Sequence, residues 1–118
     1  MTETDLEGIL VNLKILASLE IGQKLITTDK YLDIEKSTFY APESVRRTYR
    51  GDSRDSAISR IDTIMTRALE IKDNDTLIEE IKKSKKGIQN LKDTYKDCVQ
   101  TKARLDTILD KINKVITD

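Results

Sequence analysis

Histidine is absent from these 118 residues. Its absence removes the usual general base, the Ser–His and Cys–His pairs, and most zinc and haem sites. Cysteine occurs once, as Cys98. No internal disulfide can close, no cysteine cluster can hold a metal, and a reducing, intracellular setting is expected. One proline and four glycines are too few for an all-β fold or a disordered proline-rich linker. No apolar run approaches the roughly 20 residues needed to span a bilayer. The opening Met1-Thr2-Glu3-Thr4-Asp5 is acidic, the wrong sign for a signal or transit peptide. An excess of one charge is missing too, since 21 basic residues balance 21 acidic ones. That argues against binding nucleic acid or anionic lipid by bulk charge and leaves only local patches.

What is there suits helices in one small module. Charged residues make up 36% and hydrophobic residues 37%, a low apolar share rich in Glu, Lys, Leu and Ile that fits long, partly exposed helices. Thr4-Asp5-Leu6-Glu7 reads as a capping box. Leu6, Ile9, Leu10, Leu13 and Leu16 follow at helical spacing, giving a helix from Asp5 to about Glu20 that Gly22 stops. Val11 and Ile15 widen its stripe and predict burial on more than one side. Lys24-Leu25-Ile26-Thr27 and Tyr31-Leu32-Asp33-Ile34 flank a turn-like Thr28-Asp29-Lys30. A β-hairpin follows, with Leu25, Tyr31 or Leu32, and Ile34 as candidates for its inner face. Two strands alone are marginal, so the hairpin must pack on a helix. After a loop at Ser37–Ala41, Pro42 suits the first turn of a short helix to about Arg50. Gly51 ends it, and Asp52 or Ser53 caps a helix carrying Ala57, Ile58, Ile61, Ile64, Met65, Ala68 and Leu69 to about Lys72.

The last segment carries the strongest pattern. One row reads Leu77, Ser84, Leu91, Cys98, Leu105, Ile112, and the other Ile81, Ile88, Tyr95, Lys102, Leu109, Ile116. The rows interleave at steps of four and three, the heptad rule of a coiled coil sustained for about six repeats. Gly87 costs a helix interior roughly 1 kcal/mol without having to break it. A helix from Thr76 to Thr117 would be about 60 Å long, against about 30 Å for Ser53–Lys72. The short turn between them implies an antiparallel hairpin, so the shorter helix covers the longer only to about Tyr95. The expected fold is therefore mainly α: a helical hairpin with a long C-terminal heptad helix, plus a small N-terminal β-hairpin. Residues 1–52 form a small module and residues 53–118 the helical hairpin. Leu91, Leu105, Leu109, Ile112 and Ile116 then form a seam that needs a cover. Helix 1 folding back could supply it, as could another chain, and the second is favoured because helix 1 is needed elsewhere. A break at Gly87 would instead permit a compact bundle.

Several motifs carry two readings each. Arg50-Gly51-Asp52-Ser53 contains the integrin-recognition tripeptide, but a helix stop and a cap explain it without secretion. Arg46, Arg47, Arg50 and Arg54, with Arg60 beyond, form a basic patch around Tyr49 that could grip phosphates or partner carboxylates. The plainer reading is a solvated face paired with Asp52, Asp55 and Asp62. Lys82-Lys83-Ser84-Lys85-Lys86 resembles a nuclear import or phosphate-binding run, yet reads more simply as a polar helix face near Glu79 and Glu80. Asn74-Asp75-Thr76 matches a glycosylation acceptor and equally a helix cap. Asp73 and Asp75 begin a calcium loop whose glycine and distal glutamate are missing. Cys98 falls on the apolar seam, where cysteine acts as a small buried hydrophobe. No glycine-rich phosphate loop, metal-ligand spacing or paired-carboxylate cleft stands out, so a non-enzyme without cofactors is expected.

Asn12-Leu13-Lys14-Ile15-Leu16, Gln23-Lys24-Leu25-Ile26-Thr27 and Tyr49-Arg50-Gly51-Asp52-Ser53-Arg54 together resemble a pattern in small proteins of large nucleocytoplasmic DNA viruses. The resemblance spans roughly Leu10 to Ile71 and excludes the heptad tail. It implies a minor capsid component lodged beneath or between major capsomers, located in the virion, and it carries over no catalytic residues. Residues and resemblance converge on one expectation: a non-enzymatic assembly protein that bridges neighbours through its seam, self-associating or binding capsid proteins. The alternative is a nucleic-acid-binding accessory protein using the Arg patch and the Lys82–Lys86 run.

Overall fold

The chain is described here through a computed structural model covering residues 3–27, 31–35, 52–71 and 74–116. It is mainly helical, with a small antiparallel hairpin near the N-terminus. Helix α1 spans Glu3–Ala17, strands β1 and β2 span Lys24–Thr27 and Leu32–Glu35, and helices α2, α3 and α4 span Asp52–Glu70, Asp75–Thr94 and Val99–Val115. The short helix expected at Pro42–Arg50 and the loop before it lie outside the described residues, as does the Thr28–Lys30 turn.

Helix α1 begins at Glu3, so Thr4 lies within it rather than capping it. It ends three residues earlier than expected. The chain then passes through Leu19, which is buried, to Gly22 at φ 93°, a left-handed conformation that favours glycine. The hairpin pairs Leu25 with Ile34 and Thr27 with Leu32. Side chains alternate across a strand, so these four share one face. Leu25 and Leu32 are buried on it, and Ile34 packs against the core. Tyr31 stays exposed, which settles the choice between it and Leu32. Val11 is likewise exposed, so α1 buries less of its circumference than its sequence promises.

The heptad segment is two helices, not one rod. Helix α3 opens on Asn74, whose side-chain oxygen accepts the Leu77 N–H at 3.0 Å. Such a cap is worth about 1 kcal/mol, and it explains the Asn-Asp-Thr triplet. The helix stops at Thr94, and Cys98 N–H donates to Tyr95 C=O at 2.9 Å to close a turn before α4. Asp93, Thr94, Tyr95, Asp97, Cys98 and Val99 are all weak helix formers, so the helix yields here and not at Gly87. Folding α4 back lets Leu105, Ile108, Leu109 and Ile112 bury against α2 and α3. Each such side chain contributes about 1.5–3 kcal/mol, far more than one interrupted helical turn costs. The Cα radius of gyration is 14.2 Å, close to the roughly 13.5 Å of a compact chain of this length and incompatible with a projecting rod.

The expected seam is therefore internal. Leu91, Leu105, Leu109, Ile112 and Ile116 are between 0% and 8% exposed and belong to the single buried cluster that also contains Leu13, Leu16, Ile58, Ile61 and Met65. No second chain is needed to cover them. The pairing of helices also departs from expectation. Helix α3 packs chiefly on α1, and α2 chiefly on α4. Consecutive α2 and α3 touch only slightly, so residues 53–118 are not a simple hairpin. Helix α4 runs alongside α2 in the same direction, with Arg104 donating to Ser59 at 3.0 Å and Lys111 to Asp62 at 2.6 Å. At the far side of α3, Asn90 donates to Leu19 C=O at 3.0 Å, and Thr94 Oγ1 accepts the Gly22 N–H at 2.8 Å. The helices thus form a ring, α1–α3–α4–α2, whose loosest contact is between α1 and α2. The hairpin sits at that gap, β1 on α2 and β2 on α1.

Candidate functional site

The gap between α1 and α2 opens into a groove of about 740 Å³. Its geometry starts with α2, which has three differently used faces. Ala57, Ile58, Ile61, Met65 and Ala68 enter the core. Asp55, Ser59 and Asp62 meet Arg104 and Lys111 of α4. Ser56, Arg60, Thr63 and Arg67, at spacings of four, three and four, form a third stripe along one groove wall. Residues so spaced stand above one another on a helix. Asp5, Gly8, Ile9 and Asn12 of α1 form the facing wall, and Thr27 and Tyr31 of the hairpin close one end.

Asn12 ties the hairpin to the α1 wall. It is buried on α1, where its Nδ2 donates to Gly8 C=O at 2.8 Å and its Oδ1 accepts the Leu32 N–H at 2.7 Å. One side chain thereby pins β2 to α1 and seats the hairpin. Asn12→Ala leaves a buried backbone donor unpaired, a loss of about 1–3 kcal/mol. We expect a lower denaturant midpoint together with selective loss of amide-exchange protection at Leu32, which a uniformly weakened fold would not give.

The basic residues divide. Arg46, Arg47 and Arg50 lie outside the described residues. Arg54 stands outside the groove with its Nε 3.9 Å from Asp55. Arg104 approaches the same carboxylate at 3.8 Å. Lys82, Lys83 and Lys86 are exposed on α3, Lys83 lies 3.8 Å from Glu80, and Ser84 is fully buried with its hydroxyl donating to Ile81 C=O. The lysine run is thus one polar face of a packed helix. Among the described residues, Arg60 and Arg67 are the arginines that reach the groove. Arg67 escaped the sequence reading, although its spacing of seven from Arg60, two helical turns, was visible there.

Cys98 is the extended N-cap residue of α4 and only half buried, not a core hydrophobe. Its Sγ lies 3.0 Å from Thr101 Oγ1. Hydrogen bonding from the Thr101 hydroxyl, and then from the Thr101 backbone N–H, lowers the thiol from its ordinary value. Arg54 adds to this, while desolvation and Asp55 oppose it. A depressed acid stabilises the fold above its unfolded pKa, and that contribution is lost as pH falls through the folded value. Alkylation of Cys98 by iodoacetamide should therefore persist to lower pH than in an unstructured cysteine peptide. Thr101→Val should return the profile toward the peptide's.

Among the described residues no group of three or more His, Cys, Asp or Glu side chains could hold a metal ion, and no helix is long and apolar enough to cross a membrane. No family model, curated protein or solved structure matches the chain.

Proposed function

We propose that the chain is a non-enzymatic docking module of a larger assembly, holding the groove between α1, the hairpin and α2 open to a segment of a partner protein. The observation that carries this reading is the internal burial of the heptad stripe. With the apolar side chains of α4 consumed by α2 and α3, a broad recess left on the described surface is the groove, and its walls mix guanidinium, hydroxyl and aromatic groups with the apolar side chains of Ile9 and Ile64. A rigid four-helix frame around a mixed recess suits recognition of a peptide segment more than chemistry, and the lack of histidine points the same way. The resemblance of residues 10–71 to proteins of large nucleocytoplasmic DNA viruses favours a virion as the setting, with the module as a minor structural component. Zero net charge favours a protein partner over nucleic acid.

The test is amide shift mapping on the ¹⁵N-labelled chain, with a panel of short peptides of acidic, basic and apolar composition. Saturable shifts at Gly8, Asn12, Tyr31 and Thr63 support the reading. Shifts confined to the outer faces of α3 and α4, or none with any peptide, overturn it.

A further inference from the structure

We infer that α4 is an exchangeable element. At high concentration two copies of the chain form a dimer in which the turn at Tyr95–Cys98 straightens, α3 and α4 run on as one helix, and each α4 packs into the other copy's frame. This goes beyond the docking reading and does not depend on it.

The phase of the apolar rows carries it. Four residues, Tyr95 to Cys98, separate α3 from α4. A turn resets the helical count, so α4 could carry its stripe in any phase of the heptad and still bury it after folding back. The phase it has is the one that continues α3. Leu77, Ser84 and Leu91 run on through Cys98 to Leu105 and Ile112, and Ile81 and Ile88 through Tyr95 and Lys102 to Leu109 and Ile116. A bent chain has no use for that registration, whereas a continuous helix requires it. In the straight form both rows keep one face along the whole length, and the half-buried Tyr95, Cys98 and Lys102 join it.

The partner is a second copy, because the frame that α4 leaves is shaped for α4. Leu105, Ile108, Leu109 and Ile112 bury against α2 and α3. Arg104 meets Ser59, Lys111 meets Asp62, and Lys92 meets Asp106. Exchange remakes these contacts between chains and closes on itself, since each copy gives one helix and takes one. The difference lies in the hinge. Straightening gains the helical hydrogen bonds across the turn, and it costs the weak propensities of Tyr95, Asp97, Cys98 and Val99. Association adds an entropy cost, so the exchanged form needs high concentration. It forms and reverts slowly, because α4 must first leave a packed core. No described residue lining the groove comes from α4, so the dimer carries that groove twice.

Val99 separates exchange from ordinary association, because two substitutions there act in opposite directions. Val99 is 80% exposed and opens α4, and Cys98 before it is extended at φ −106° and ψ 96°. Proline suits the first position of a helix, where no intrahelical bond needs its N–H, and it asks for an extended residue before it. Val99→Pro therefore fits the bent chain. In a straight helix it would lose the bond to Tyr95 C=O and press its ring against that carbonyl. Val99→Ala favours the straight helix, since alanine is the better helix former.

The intact chain and both variants are denatured, refolded at low and at high concentration, and separated by size-exclusion chromatography with light scattering. The unmodified chain is expected to give monomer at low concentration and a growing share of dimer at high, and the isolated dimer should persist on dilution. Val99→Ala should raise the dimer share several-fold. Val99→Pro should lower it about tenfold or more, while melting no lower than the unmodified chain. Absence of dimer from both the unmodified chain and Val99→Ala overturns the inference, whatever the proline variant does. So does a Val99→Pro dimer at the unmodified level. A dimer weakened by both substitutions, or one that falls apart at once on dilution, is a surface contact and overturns it too.

Discussion

Replacing Gly87 with alanine is expected to destabilise the fold by about 3 kcal/mol, enough to lower the melting temperature by about 10 °C or more. The direction is what makes the result informative. Inside an isolated helix the same change gains roughly 1 kcal/mol, because alanine is the better helix former. Here α1 crosses α3 on Gly87 itself. A Cβ at that position would lie 2.6 Å from the Leu16 carbonyl carbon, closer still to its oxygen, and 3.5 Å from the Ala17 nitrogen. The obstacle is backbone, so no rotamer change relieves it, and α1 must slide or tilt away. That movement would disturb the Asn90–Leu19 and Thr94–Gly22 hydrogen bonds together. Gly8→Ala is the matched control. Its Cβ would meet the Tyr31 ring at 3.9 Å, ordinary contact, and the helix-propensity gain should then emerge. Circular dichroism melts of both variants against the unmodified chain check the contrast. A Gly87→Ala protein as stable as the original would mean that α1 does not rest on α3 as described.

Much of the fold is legible in the residues, and the failures have identifiable causes. The stripe Ala57, Ile58, Ile61, Ile64, Met65 and Ala68 is buried as its spacing requires. The hairpin pairs where β-branched residues and turn chemistry place it. The heptad count is also sound as a statement about burial: Leu77, Ile81, Ile88, Leu91, Leu105, Leu109 and Ile112 are all buried. What periodicity cannot convey is continuity. The turn of Tyr95-Lys96-Asp97 and the cap at Cys98 leave both rows facing inward on either side of the break. The same sequence pattern therefore serves one rod or two antiparallel helices. The decisive sign was local propensity, the run of weak helix formers from Asp93 to Val99, set against the apolar stripe that a straight helix would leave in water. Gly87, expected to cost a helix interior roughly 1 kcal/mol without having to break it, does lie inside α3, but its role as a crossing point is shown only by the neighbour's backbone.

The groove was less legible, because its walls come from segments distant in sequence. Gly8 and Asn12 carry no motif. Arg60 and Arg67 sit among other polar groups whose partners differ: Asp55 and Asp62 pair with α4, Ser59 accepts from Arg104 at the groove's edge, and the arginines face the gap. Which polar stripe of α2 meets another helix depends on the placement of α4, and hence on the turn at Tyr95–Cys98. The unexpected turn thus has two consequences. It closes the apolar edge once expected to seek a neighbour, and it turns a polar face of α2 toward the open side of the ring.

Leu105→Glu separates an internal stripe from an exposed seam, and its expected effect is loss of the folded state. Leu105 is fully buried. Removing a buried leucine side chain alone costs about 2–5 kcal/mol, and the introduced carboxylate must either ionise in the core or abandon packing. Whole domains of this size are stable by only about 5–15 kcal/mol. Leu109, at 8% exposure, lies nearer the surface, so Leu109→Glu should destabilise strongly but less, its carboxylate reaching toward solvent. Val99→Glu completes the series. Val99 is 80% exposed in the first turn of α4, a turn with no acidic residue, and a negative charge near a helix N-terminus adds about 0.3–1 kcal/mol. Three glutamates on one helix should therefore give unfolding, marked destabilisation and slight stabilisation, in the order of their burial. Far-UV circular dichroism with light scattering reads all three. A folded Leu105→Glu protein that changed only its state of association would return the stripe to the outside of the molecule, because only a side chain facing a partner can lose that partner while its own chain stays intact.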